Sequence, residues 1–207
     1  MANGNGTRRV VVTGMGVVTP IGLNVDEFWA SMHEGKCGVT ALEGFPLEDL
    51  KILIAAQIKN FDAKARLKHF QRDKIILHAD RYSWFAAAAA DEAVKQSGLP
   101  IPFDNGYRSA CIIGSGAGGL TTYEKAYRDL FIENKRATHP LTLLRIIGSS
   151  ASAHVGIEFG SRARRLPPVR PVRRPPTPSA WRATTFRTTW SMSRSAALRS
   201  RSSTTAR

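Results

Sequence analysis

Two thiols are the groups in this sequence that could carry nucleophilic chemistry. The chain has two cysteines, Cys37 and Cys111. A cysteine becomes a strong nucleophile when a helix N-terminus or a fixed cation lowers the pKa of its thiol. Cys37 follows Gly35 and Lys36 in a turn where only that flexible lysine is near, and Cys111 begins an apolar run typical of a core strand. We therefore predict a loop thiol without a role and a core thiol.

The histidines suggest no metal site. Neither the cysteine spacing nor any clustering of His33, His69, His78, His139 and His154 matches the ligand patterns of structural or catalytic metals. Each histidine is most simply a surface residue or a structural residue with a satisfied hydrogen bond. We predict no bound metal.

Two glycine-rich turns could in principle hold a phosphate. Such loops let a pyrophosphate reach backbone N–H groups at the start of a helix. The turn Gly14-Met15-Gly16 lacks the third glycine of the dinucleotide motif. The segment GSGAGGL, from Gly114 to Leu120, matches G-x-G-x-x-G formally, but no acidic residue about 20 positions later ends a second strand. We predict no cofactor.

The elements that would position these residues alternate between strand and helix, as in α/β proteins. Apolar, β-branched runs predict strands over residues 10–12, 52–59 and 111–113. The run at residues 10–12 is expected to be buried, because an uninterrupted apolar strand is typical of a covered sheet.

Capping residues or small residues predict three helices. Asn24 as N-cap with Glu27 at the capping-box position predicts the first helix, which Gly35 ends. Residues 71–97 predict a long helix whose buried face is made of alanines, so we expect a close neighbour. Residues 142–160 predict a buried helix.

The composition changes abruptly after Gly160. Residues 161–207 contain 12 arginines, 6 prolines, 8 serines and 7 threonines, with no lysine, glycine, histidine, aspartate or glutamate. Of the net charge of +14, +12 arises there, since 18 basic and 16 acidic residues precede residue 161. Such a segment cannot bury enough apolar surface to offset the entropy of ordering. We predict a partial globular domain over residues 1–160 and a disordered tail over residues 161–207.

Four segments resemble a known family when taken in order. They are RRVVVTGMGVVTPIG (residues 8–22), DRYSWFAAAAADEAVKQSGL (80–99), IIGSGAGGL (112–120) and HPLTLLRIIGSSASAHVGIEFG (139–160). Together they resemble the N-terminal part of a β-ketoacyl-carrier-protein synthase, with the elongating type II enzymes of fatty acid biosynthesis most similar. The resemblance covers residues 8–160.

The resemblance implies a thiolase-like fold of two α/β halves in α/β/α/β/α layers, of which this chain would hold most of the N-terminal half. It also implies a decarboxylating Claisen condensation, with acyl carrier protein and malonyl-acyl carrier protein as partners, and a homodimer. In the family a cysteine at a helix start takes the acyl group, and two histidines and a lysine from the second half complete the site.

None of these catalytic residues can be placed in this sequence. The motif that follows Phe159-Gly160 in the family leads to the cysteine, whereas this chain continues with Ser161-Arg162-Ala163 and more arginines. The one functional position that carries over is Ala117, similar to a family residue that lines the acyl pocket near the dimer interface. A small side chain there would leave room for a longer acyl chain. We expect the chain as written to be inactive.

The tail itself agrees with the family in another reading frame. If each codon is regrouped as the third base of the preceding codon plus its own first two bases, residues 177–186 can encode H-A-I-G-M-A-R-D-Y-I. That string is similar to the helix after the family's cysteine elbow. Arg170, Pro171 and Val172 can likewise encode S/T-A-C. We therefore expect a frameshift near the codons for Gly160 and Ser161.

Two alternatives stay open. The arginine-rich tail could bind nucleic acid nonspecifically, with Trp181, Phe186 and Trp190 stacking on bases. The chain could also be a noncatalytic partner of an intact synthase. No apolar stretch is long enough to span a membrane and cysteines are few, so we expect a soluble cytoplasmic protein.

Overall fold

A computed structural model describes residues 10–44, 47–48 and 50–163 of the chain. The predicted disorder and reading frame of the tail beyond residue 163 lie outside the described residues. The first three residues after Gly160 are described, and they pack on a turn formed by residues 106–109. There the Arg162 N–H donates to the Gly106 carbonyl at 2.7 Å, and Ser161 is fully buried.

The first helix, α1 (Val25–His33), begins as its capping residues predict. The Glu27 N–H donates to Asn24 Oδ1 at 2.8 Å, and the Glu27 carboxylate reaches back to accept from the Leu23 N–H at 2.8 Å. Gly35, with φ of +67°, follows the helix in the left-handed region that favours glycine. The sequence prediction of this helix is confirmed at both ends.

The longest helix, α3 (Arg81–Ser97), lies at the centre of the described structure. Its buried residues are mainly the alanines at positions 87–90 and 93, and α6 (Ser150–Glu158) packs against this helix. The loop after residue 12 also approaches α3 closely, at Ala89 and Ala93. A Cβ atom on Gly16 would lie 1.9 Å from the Ala89 carbonyl oxygen. The predicted close neighbour of the alanine face is confirmed, because only small residues permit this distance.

Residues 71–80, predicted as the first part of that helix, fold otherwise. The carboxylate of Glu158 accepts the N–H groups of Gln71, Arg72 and Asp73 at 3.2, 2.9 and 2.9 Å. A 3₁₀ turn (Ile76–His78) follows, and the extended backbone of Asp80 then starts α3. The predicted helix boundary was wrong because a buried carboxylate from a distant helix binds these amides and outweighs the local periodicity.

The strand predictions hold only in part. Two short strands, β1 (Thr40–Ala41) and β2 (Ile54–Ala55), pair antiparallel, and β2 lies within the predicted 52–59 segment. Residues 10–12 and 111–113 are not strands in the described structure. The valines at positions 10, 11 and 12 are 74, 61 and 77% exposed, so their predicted burial was wrong. Among the described residues none pairs with this run, and an isolated extended segment gains no ladder of hydrogen bonds.

The remaining helices are α2 (Ala63–Leu67), α4 (Leu120–Tyr127) with a π turn after it (Arg128–Ile132), and α5 (Thr142–Ile146). The single helix predicted over residues 142–160 is therefore two helices. Of these α6 is buried, whereas α5 leaves Leu143 70% exposed. In the described ranges no helix combines the length and apolar character needed to cross a bilayer.

Candidate functional site

The glycine loop of residues 114–120 is a tight turn that leads into α4. Gly118 has φ of +70°, and its N–H donates to Ser115 Oγ at 2.9 Å. The Gly119 N–H donates to the Ile146 carbonyl at 3.1 Å, so the loop is bonded to the end of α5. A Cβ atom would lie 2.4 Å from the Ile146 oxygen at Gly118 and 2.2 Å from the Arg145 oxygen at Gly119. The two glycines are required because the backbone of α5 lies against them.

Asp80 holds the start of α4 from outside that helix. Its Oδ2 atom accepts from the Thr122 N–H at 2.9 Å and from the Thr122 hydroxyl at 2.7 Å. Thr122 is the third residue of α4, whose own N-cap is Gly119, a residue without a capping side chain. The carboxylate of Asp80 thus does the work of an N-cap, and a negative charge is favourable at that end of a helix.

Tyr82, two residues further along α3, binds the segment on the other side of the loop. Its hydroxyl donates to the Ile147 carbonyl at 2.5 Å, at the junction between α5 and α6. Burial raises the pKa of the Tyr82 phenol above its ordinary value, and the nearby Asp80 carboxylate adds to the rise. The phenol therefore remains a hydrogen-bond donor at neutral and moderately alkaline pH.

An open groove of about 1220 Å³ lies beside this arrangement. One wall is the segment of residues 56–64, and the other combines the first turns of α3 and α4 with Gly118. Its surface is partly aromatic, with Phe61 and Phe85 in edge-to-face contact at 5.0 Å between ring centroids. Ala117, the predicted acyl-pocket residue, is exposed on the loop next to Gly118 and does not line this groove.

Neither thiol has the surroundings of a nucleophile. Cys37 is exposed in a turn after α1, and its Sγ lies 3.9 Å from the Val39 carbonyl oxygen. Cys111 is 1% exposed, within the core cluster. This geometry agrees with the predicted loop thiol and confirms the predicted core thiol.

The histidines take the structural roles predicted for them. His154 is buried, and its Nδ1 lies 2.5 Å from a carboxylate oxygen of Asp73. His69 is exposed and lies 2.9 Å from Asp91, which also binds Lys95. Within the described part of the chain, no three His, Cys, Asp or Glu side chains are grouped as metal ligands would be.

Comparison with known proteins shows the family to which the chain belongs. Residues 7–168 match the family model for the N-terminal domain of β-ketoacyl synthases. The chain belongs to the β-ketoacyl synthase family. This β-ketoacyl synthase segment is 31% identical over 155 residues to 3-oxoacyl-[acyl-carrier-protein] synthase 2 of Staphylococcus aureus (strain COL). The match covers 75% of the chain and 36% of that relative.

A second sequence relative and a solved structure support the same family. The 3-oxoacyl-[acyl-carrier-protein] synthase 2 of Coxiella burnetii is 36% identical over 152 residues, which cover 73% of the chain and 36% of the relative. Among solved structures, the ishigamide ketosynthase/chain length factor superposes with a TM-score of 0.65 at 26% identity, over 77% of this chain and 39% of that one. The fold is thus the thiolase-like α/β fold, and the β-ketoacyl synthase segment spans little more than a third of its relatives' length.

Sequence reasoning found the glycine loop but missed the residues that hold it. Asp80 was placed inside a predicted helix, whereas it precedes α3 and binds Thr122, 42 positions away. Tyr82 lies within the helix predicted over residues 71–97, and the helical pattern does not indicate that its hydroxyl binds Ile147. The one available signal was that Asp is a preferred residue immediately before a helix.

Proposed function

We propose that this chain carries the N-terminal part of a 3-oxoacyl-carrier-protein synthase of fatty acid elongation, and that loop 114–120 with Ala117 forms part of its acyl pocket. The observation that carries the proposal is the loop itself. Gly118 and Gly119 lie against the backbone of α5, and Asp80 fixes the first turn of α4. Ala117 is thereby presented on a rigid turn with a small side chain, which suits a long acyl chain.

The proposed reaction of the complete enzyme is a decarboxylating Claisen condensation. An acyl group passes from its carrier thioester to an enzyme thiolate, which releases the carrier thiol. Malonyl-acyl carrier protein then loses carbon dioxide, and the resulting carbanion attacks the enzyme-bound thioester and expels the thiolate. The thiolate must therefore be exposed to the carrier and stabilised by its surroundings.

We propose that the chain as written does not form the acyl-enzyme. Cys111 is buried in the core and cannot meet a carrier-bound thioester, and Cys37 lies in an exposed turn without a helix N-terminus. Incubation of the full chain with radiolabelled acyl-acyl carrier protein should leave no label on the protein after removal of the carrier. A C37S variant serves as the control for nonspecific thiol exchange. Label retained on Cys111 and extended by malonyl-carrier protein would contradict this part of the proposal.

The frameshift is the proposed origin of the missing thiolate. The regrouped codons of residues 170–172 permit S/T-A-C, which would supply a cysteine of the kind the reaction needs. Sequencing the DNA across codons 155–175 in several independent isolates tests this directly. An uninterrupted frame in all of them would refute the frameshift, whereas a restored-frame protein that takes up the acyl label would support both the frameshift and the proposed reaction.

The same proposal includes a homodimer, which exposed apolar side chains support, and a cytoplasmic location. Large hydrophobic residues on α4, the π turn and α5 are exposed, among them Leu120, Phe131 and Leu143. A patch of this kind marks an interface in soluble proteins. Light scattering coupled to gel filtration should give twice the chain mass of 22.7 kDa.

Two other functions have an observation in their favour. The net charge of +14 would allow nonspecific binding of nucleic acid, which a steep loss of DNA affinity between low and high salt would reveal. The exposed apolar patch could instead bind an intact synthase, making this chain a noncatalytic partner. Copurification with a full-length relative, lost on an L143E substitution, would favour that role over a homodimer.

A further inference from the structure

Loop 114–120 is held from two sides by the start of α3. Asp80 binds Thr122 beyond the loop, and Tyr82 binds Ile147 behind it. Gly118 and Gly119 lie between these anchors, and the Gly119 N–H donates to the Ile146 carbonyl, one residue before the Tyr82 contact. A shift of either anchor would therefore move the loop, and Ala117 with it.

Asp80 is placed so that the loop has little freedom to move by itself. Asp80 is 7% exposed, and a Cβ atom added to Gly119 would lie 3.0 Å from its Oδ2 atom. Because the same oxygen binds both the backbone and the hydroxyl of Thr122, the first turn of α4 is fixed in both position and rotation. Interiors packed at this density transmit displacements to their neighbours.

We propose that Asp80 and Tyr82 are positioning residues that set the place of loop 114–120, and thereby the length of acyl chain accepted at the exposed Ala117. The part of this inference that concerns acyl chains rests on the proposed function. The part that concerns the loop rests on the contacts alone. The two parts can be tested separately.

The first test measures the loop in the full chain by amide hydrogen exchange. A D80A substitution should raise exchange at the Gly118 and Gly119 amides at least tenfold, while the Ala153 amide in α6 stays within threefold. A D80N variant should restore slow exchange, because both bonds to Thr122 end on one oxygen and an amide oxygen can replace it. Y82F should raise exchange at Gly119 in the same selective way.

Thr122 offers a matched pair of variants that keeps the test decisive if D80A does not fold. T122V removes the hydroxyl that Asp80 binds, whereas T121V removes a neighbouring hydroxyl from a residue that lines the groove. We expect selective loop exchange in T122V and wild-type exchange in T121V. Equal exchange at Gly118 and Gly119 in wild type, T122V and any folded D80A protein would overturn the positioning role. A uniform rise that includes Ala153 would overturn it too, because Asp80 would then only stabilise the fold.

The second test measures acyl selectivity with photoreactive 8-carbon and 16-carbon acyl-pantetheine thioesters. We expect cross-linking to residues 114–120 in the wild-type chain, with a ratio of long to short probe that falls at least threefold in T122V and D80A and returns in D80N. If the ratio is unchanged in variants whose loop exchanges faster, the specificity role is refuted. If neither probe cross-links to the wild-type loop while the exchange pattern holds, the proposed acyl function fails and the positioning of the loop stands.

Discussion

Replacement of Glu158 tests whether a distant carboxylate fixes the fold of residues 71–80. In the native structure its Oε2 atom accepts from the Arg72 and Asp73 N–H groups, and its Oε1 atom accepts from Gln71. A glutamine at this position keeps the shape but offers one acceptor oxygen. The favourable rotamer places that oxygen where Oε2 lies, so two bonds survive as neutral hydrogen bonds and the bond to Gln71 is lost.

The expected cost of E158Q follows from these contacts. The lost bond to a charged acceptor is worth about 2 kcal/mol, and weakening two others adds about 1 kcal/mol, for a total of about 3 kcal/mol. E158A should cost about 4 to 5 kcal/mol, because it leaves the N–H of Asp73, a residue 1% exposed, without an acceptor. Against a typical free energy of unfolding of about 5 to 15 kcal/mol, either loss is large.

Urea unfolding followed by circular dichroism and by tryptophan fluorescence, to which the half-buried Trp84 bonded to the Ile76 carbonyl contributes, measures these differences. E124Q is the matched control, because Glu124 forms an exposed ion pair with Arg128 and should change the free energy of unfolding by less than about 0.5 kcal/mol. If E158Q loses no more stability than E124Q, the three bonds do not determine the conformation of residues 71–73.

Three further predictions concern the helices. N24A should lower stability by about 1 kcal/mol in thermal unfolding, because α1 loses its side-chain cap. A90L should cost about 1 to 3 kcal/mol, because Ala90 is fully buried in the core, whereas A86S at a half-buried position should change little. The raised pKa of Tyr82 means that the unfolded chain loses the phenol proton first as pH rises. Stability should therefore fall above about pH 10, and Y82F should lack that component in unfolding measured from pH 8 to 11.

Local signals in the sequence sufficed where the structure depends on local contacts. The cap of α1 is made by residues three positions apart, and the end of α3 at Gly98 needs only a left-handed φ of +65°. The alanine face of α3 was predictable from its period, and so was a close neighbour. The glycine loop was likewise visible as a motif, whereas the acyl-pocket role expected of Ala117 stays a prediction.

The predictions failed where contacts with distant parts of the chain override the local conformational preference of a segment. Residues 71–80 have helical periodicity, but Glu158 binds their first three amides and no local pattern announces that. The valines at positions 10–12 have strand propensity, but propensity expresses packing against neighbouring strands, and the described residues provide none there. The residues that hold loop 114–120 were not predictable for the same reason, because Asp80 and Thr122 are 42 positions apart in the sequence.

In the described structure, carboxylates from two helices accept hydrogen bonds from the backbone N–H groups of other segments. From α3, the Glu92 carboxylate accepts from the Val17 N–H at 3.0 Å and from the Val25 N–H, the first of α1, at 2.8 Å. Asp80 at the start of α3 does the same for α4, and Glu158 of α6 does so for residues 71–73. Because α3 and α6 pack against each other through small residues, these three carboxylates are held by one rigid pair of helices. A substitution that separates the two helices, such as A90L, should therefore disturb the glycine loop as well as the core, and amide exchange at Gly119 in that variant would show it.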